Sequence, residues 1–205
     1  MIKRGSLLVV SGPSGAGKSS LIKEILKNID NVYFSISTTT RPKREGEVDG
    51  VNYYFVSKEE FEEDIKKGLF LEWANVHGNY YGTSLKPVFE ALEKEKLVVF
   101  DIDVQGHESI RKRFDDITTS VFVTTPSIKE LENRLIKRGT DTKETIKKRL
   151  QNAREEIRRL NEFDFLLIND DFEVAKKEIL SVATAAKMKY SKKSIEEFIK
   201  EWSQF

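Results

Sequence analysis

The segment Gly12-Pro13-Ser14-Gly15-Ala16-Gly17-Lys18-Ser19 stands where a short apolar run hands over to a helical pattern. Three glycines, a lysine and a hydroxyl in that order satisfy the P-loop pattern in the context it demands. The glycines let the backbone turn its N–H groups inward around a polyphosphate, and the helix N-terminus adds a favourable dipole. Lys18 then reaches the β- and γ-phosphates of a nucleoside triphosphate, and Ser19 is suited to hold Mg²⁺. An accidental glycine-rich turn is the bland alternative. Asp101 ends the apolar run Leu97-Val98-Val99-Phe100, as does the carboxylate of a Walker-B strand, which sits near the metal and its waters. An ordinary carboxylate at a strand end reads the same way.

A triphosphate cradle does not name the reaction, so the acceptor has to be read elsewhere. Ser35 to Glu47 concentrates hydroxyls with Arg41 and Arg44 in a turn-like segment. Paired arginines recognise a dianionic phosphate by forked hydrogen bonds, although a solvated basic loop has the same composition. Tyr53 and Tyr81 offer phenolic donors to such a phosphate or simply pack in a core. Arg134 and Arg138 are four apart and so share a helical face. With Arg149 they lie on or beside a polar break, Arg138-Gly139-Thr140-Asp141-Thr142, amid Lys137, Lys143, Lys147, Lys148, Arg154, Arg158 and Arg159. A solvated basic stripe is their alternative reading. The two histidines, His77 on a turn and His107 at a helix start, read as surface or capping residues. Catalysis should therefore be positional and electrostatic, without a histidine base.

These residues must be held by alternating elements. Apolar runs at Ser6–Val10, Leu97–Phe100, Val121–Thr124 and Phe165–Ile168 are each followed by a helical pattern, at Ser19–Leu26, Gln105–Phe114, Ile128–Arg138 and Phe172–Ala186. Strand and helix alternate, so the expected fold is α/β with a doubly wound parallel sheet. Between Val32 and Pro87 the texture becomes β-rich, with Tyr53–Val56 and Phe70–Tyr81 interrupted by a helix near Glu59–Lys66. The expected division is a P-loop core over 1–31 and 87–205, a short helical lid at about 134–150, and an inserted mixed-β subdomain over 32–86. Glu144–Leu160 and Ser191–Phe205 read as further helices.

Three separated segments then carry a resemblance. Ser37-Thr38-Thr39-Thr40-Arg41-Pro42, Gly78-Asn79-Tyr80-Tyr81-Gly82-Thr83 and Asp101-Ile102-Asp103-Val104-Gln105-Gly106 resemble the signature segments of guanylate kinases, in the same order. The likeness runs from the P-loop to Ile168-Asn169-Asp170-Asp171. It implies transfer of the γ-phosphoryl group of ATP to GMP, with Mg²⁺. ATP would lie on Gly12, Pro13, Ser14, Gly15, Ala16, Gly17, Lys18, Ser19 and Ser20, with Asn169 near its adenine. Arg41, Arg44, Tyr53 and Tyr81 would bind the GMP phosphate, and Ser37, Glu72, Thr83 and Asp103 would read the guanine. Lys18, Arg134, Arg138 and Arg149 would surround the transferring phosphoryl, with Arg41 beside them on the acceptor. Ser19 and Asp101 would serve the metal, Asp101 through water. Thr83 departs from members with serine there but keeps the hydroxyl.

The chemistry of the base agrees with this. Guanine presents N1–H and an exocyclic amine as adjacent donors, so an acceptor-only carboxylate such as Glu72 or Asp103 suits it, and adenine would leave that carboxylate unpaired. Without the resemblance, Glu72 reads equally as a solvent-facing strand residue and Asp103 as a helix cap. Two rival readings are a related interaction module without catalysis, which an intact P-loop disfavours, and a kinase of another small phosphate acceptor, which the guanine-reading set disfavours.

Composition sets the outer limits. The 205 residues suit one α/β unit with inserts. Lys plus Arg (35) against Asp plus Glu (34) leaves a formal charge of +1, so no global field draws the chain to nucleic acid or membrane. The absence of cysteine excludes disulfides and thiol chemistry. Met1-Ile2-Lys3-Arg4 runs straight into an apolar stretch too brief for a signal segment. A cytoplasmic protein is expected, and monomer and homodimer both remain open.

Overall fold

The computed structural model describes residues 5–76, 78–139 and 141–203, so His77 and Thr140 lie outside the described residues. The central strand β1 (Ser6–Ser11) is flanked by β7 (Leu97–Asp101) and β8 (Thr118–Thr124). With β2 (Val32–Phe34) and β9 (Phe165–Ile168) at the edges, they form a parallel sheet in the order β2-β7-β1-β8-β9. The even burial of β1 follows from its apolar run. Leu8 and Val10 enter a core with Leu21 and Ile25 of α1 (Lys18–Asn28) and Ile179 and Ala183 of α7 (Phe172–Ala186). Leu7 and Val9 enter the opposite core with Val88 of α3 (Lys86–Glu93) and Ile110 of α4 (Val104–Phe114). Period-two alternation in a strand covered on both faces demands apolar residues at every position. Each buried Leu or Val contributes about 1.5–3 kcal/mol.

The second sheet is mixed. β3 (Thr38–Thr39) pairs parallel to β4 (Tyr54–Phe55) and antiparallel to β6 (Asn79–Ser84), which pairs with β5 (Phe70–Val76), giving the order β4-β3-β6-β5. α2 (Lys58–Lys66) covers it through Phe61, fully buried and stacked on Phe70 at 4.1 Å and Tyr80 at 5.2 Å between ring centroids. Ser57 caps α2 by accepting from the Glu60 amide.

Several elements differ from the sequence reading. The expected strand over Phe70–Tyr81 is a hairpin, turning at Gly78 with φ 83°. Val32–Phe34 pairs with β7 in the parallel sheet and not in the mixed one, because its short apolar run satisfies its backbone against Leu97–Val99. α3 was not anticipated, though Pro87 in its first turn is a helix-start signal. The long helix expected over Glu144–Leu160 is α6 (Lys143–Glu156) followed by a 3-10 turn at Ile157–Glu162. α5 (Ile128–Arg138) is as expected; α8 (Lys192–Trp202) buries no residue.

Candidate active site

The site is built where the strands of the parallel sheet end. β1 leads into the P-loop, whose shape depends on two glycines. At Gly12 (φ 124°) a Cβ would run into the Val123 carbonyl, and at Gly17 (φ 100°) into the Asn169 amide. Asn169 is 4% exposed and donates from Nδ2 to the Ala16 carbonyl at 2.8 Å, so the end of β9 braces the loop from beneath. Lys18 donates to the Gly12 carbonyl at 2.6 Å and lies 3.8 Å from Asp101 at the end of β7. Burial pushes the Asp101 carboxyl up, against the opposing pull of Lys18 and Ser19. Ser14, Gly15, Gly17, Lys18, Ser19, Ser20 and Asp101 line one cavity of about 460 Å³ together with Arg134 and Arg138 of α5.

The arginines come from two helices. Arg134 is oriented by Glu130 one turn back, at 2.8 Å. α5 stops at Gly139, which takes the left-handed conformation (φ 69°), and Thr142 caps α6. Arg149 of α6 donates to the Ser14 hydroxyl and pairs with Asp141 at 3.0 Å, which ties α6 to the P-loop. Leu131 and Leu135 pack against Leu150 and Ala153, so α5 and α6 carry a small core of their own.

The mixed sheet supplies a second cavity of about 220 Å³, lined by Ser37, Glu72, Trp73, Ala74, Tyr81, Gly82 and Thr83. Thr83 donates to Glu72 at 3.4 Å. Burial, and then the nearby Asp103, raise the Glu72 carboxyl above its ordinary range. The two carboxylates are therefore close although they come from β5 and from the start of α4. Asp103 Oδ1 accepts from the Gln105 and Gly106 amides, both at 2.9 Å, so it is a helix cap as well.

Beside this cavity Arg41 lies against the rings of Tyr53 and Phe55, at 5.5 and 5.7 Å, and interacts with the Tyr81 hydroxyl. Its guanidinium fork is held by Glu47, at 2.7 and 3.0 Å, and Glu47 also accepts from the Arg44 amide at 2.7 Å. Arg41 and then that amide hold the Glu47 carboxyl below the usual range. The Arg44 side chain is exposed.

Residues 4–186 match a family model described as guanylate kinase. The chain belongs to the guanylate kinase family. A guanylate kinase of Sulfurimonas denitrificans is 56% identical over 98% of this chain and 97% of its own length, and one of Wolinella succinogenes 53% identical over 97% and 93%. A crystal structure of guanylate kinase from Anaplasma phagocytophilum superposes with a TM-score of 0.67 at 31% identity, covering 92% of this chain and 90% of that one.

Against that family background, the sequence reading missed three acidic residues. Glu47 lies within the basic segment it singled out, and its signal was an acid six residues from Arg41. Asp141 anchors Arg149 across the break between α5 and α6. Glu156 ends α6, and its charge acts on both Lys18 and Asp103. His107 is corrected: it is 1% exposed and stacks on Phe163 at 4.0 Å, and burial pushes it down to about 4, so it is neutral and has no capping role. Asp103 supplies that cap.

Proposed function

We propose that this guanylate kinase family member transfers the γ-phosphoryl group of ATP to GMP by in-line displacement, giving ADP and GDP. The observation that carries the reading is the pair of cavities, one walled by the P-loop with Lys18, Arg134 and Arg138, the other by Glu72 with the Ser37 and Thr83 hydroxyls. ATP rests on Gly12 to Ser20, and Asn169 holds that loop in shape beside the adenine end. GMP places its base against Glu72, Asp103, Ser37 and Thr83. Its phosphate takes the forked donors of Arg41, with Arg44, Tyr53 and Tyr81 around it, and so displaces Glu47 from the Arg41 fork.

Lys18, Arg134, Arg138 and Arg149 neutralise the charge that spreads over the phosphoryl oxygens, which is the main service an enzyme gives this reaction. The acceptor phosphate has a second pKa of about 6, so at neutral pH its attacking oxygen is already ionised and requires no base. Mg²⁺ suits the donor set, since the Ser19 hydroxyl and Asp101 carboxylate are hard oxygen ligands. No group of three or more acidic or histidine side chains among the described residues could hold a metal alone, as befits an ion that arrives on nucleotide phosphates. When bound, it would neutralise the β- and γ-phosphate oxygens. A cytoplasmic setting belongs to the same reading; no helix among the described residues is long and apolar enough to cross a membrane.

The test is a coupled ADP-release assay with ATP and Mg²⁺ against GMP, AMP, CMP and UMP. Strong preference for GMP is expected, and Lys18→Ala should lower turnover by about 10²- to 10³-fold with the fold retained. Equal activity on AMP and GMP would remove the reading.

A further inference from the structure

Gly106 is buried in the first turn of α4, and its backbone does not call for glycine: its φ is not positive, and alanine is the better helix former. The reason lies in what surrounds it. A Cβ built on Gly106 would come within 3.3 Å of Glu72 Oε2, 3.0 Å of the Ile102 Cβ and 3.1 Å of the Ile102 Cδ1. Glu72 reaches this turn from β5, and its carboxylate takes the space that a side chain at 106 would need. The same glycine gives its amide to Asp103 Oδ1 at 2.9 Å. Gly106 therefore touches both carboxylates proposed to read guanine, one through its amide and one beside its bare Cα.

Two acceptors for one base edge need a fixed spacing, because the N1–H and exocyclic amine of guanine are adjacent donors and a hydrogen bond weakens steeply once its geometry is lost. The contact at Gly106 leaves little slack for that spacing. A methyl group there would require Glu72 to give way by a few tenths of an ångström. Resting on the assignment of GMP as acceptor, we propose that Gly106 is a positioning residue for guanine recognition: lacking a side chain, it lets the Glu72 carboxylate seat against the first turn of α4, at the spacing from Asp103 that the base edge requires. The first turn of a helix carries the positive end of its dipole, which favours an ionised carboxylate at that seat.

The experiment is a double-mutant cycle that reads KM for GMP and KM for ATP in the wild type, Gly106→Ala, Glu72→Ala and the double variant. Weakening of a hydrogen bond to a charged acceptor predicts that Gly106→Ala raises KM for GMP about tenfold, with KM for ATP unchanged. In the Glu72→Ala background there is no carboxylate to displace, and the same substitution should change KM for GMP less than about twofold. The methyl also meets Ile102, so Gly106→Ala combined with Ile102→Val, which removes the Cδ1 at 3.1 Å, carries the test against Ile102→Val alone if the single variant does not fold. An unchanged KM for GMP in Gly106→Ala, a matching rise in KM for ATP, or an equal rise in both backgrounds would overturn the role of Gly106 while leaving GMP as the acceptor. A wild type inactive on GMP would instead overturn the acceptor assignment itself.

Discussion

In the proposed reading, Glu72 serves recognition at the expense of stability. Its carboxylate must be ionised to accept from guanine, yet burial and Asp103 raise its folded-state pKa above the ordinary 4.5. For such a group the stabilising contribution is full below the unfolded pKa and is lost as pH rises through the folded one, so at neutral pH the ionised Glu72 weakens the free protein. Glu72→Gln should therefore raise the Tm at pH 7 in a calorimetric melt. The same variant should raise KM for GMP by about 10- to 100-fold, because a hydrogen bond to a charged acceptor contributes about 1.5–3 kcal/mol. In the wild type, kcat/KM for GMP should fall toward acid through an apparent pKa above 4.5, and that limb should be missing in Glu72→Gln. Ionisation of the GMP phosphate is common to both proteins and cancels in the comparison. Of these properties, the carboxylate and its suitability for guanine were legible in the residue types. Its closeness to Asp103 was not, because 31 positions separate them in the chain.

Among the elements, α2 and the mixed sheet depend on one aromatic stack. Phe61 between Phe70 and Tyr80 is the largest apolar side chain linking α2 to β5 and β6. Phe61→Ala should cost about 3–5 kcal/mol. Since β5 and β6 carry Glu72, Tyr81 and Thr83, KM for GMP should rise more than KM for ATP, whose cradle hangs on β1 and α1. Thermal melts and paired KM measurements check both; an equal rise in the two constants would contradict it. Helices with strong periodicity were readable to the residue, as in Ile128–Arg138 and Phe172–Ala186. The hairpin of β5 and β6 was not, since its turn shows only one glycine within a continuous aromatic run.

At the scale of the molecule, the cavities proposed for triphosphate and acceptor are lined by different elements, and Arg149 already ties α6 to the P-loop. Movement of the mixed sheet with α2, and of the 134–150 segment, over both nucleotides would exclude water from the transfer and suppress ATP hydrolysis. Small-angle scattering with GMP and a non-hydrolysable ATP analogue should record compaction toward the radius of gyration of about 17 Å expected of a compact chain this long. No change on adding both ligands would count against closure. By itself the sequence determined the alternating architecture and the P-loop, because periodicity and glycine placement act over a few positions, and its resemblance to guanylate kinases supplied the residues proposed to surround two nucleotides. Only the tertiary structure decided that β2 completes the parallel sheet and that Asn169 supports the P-loop. It alone showed Glu47 in the Arg41 fork. Two of these arrangements join segments far apart in the chain, and even the nearby Glu47 depends on how its loop folds back, so no local pattern could announce them.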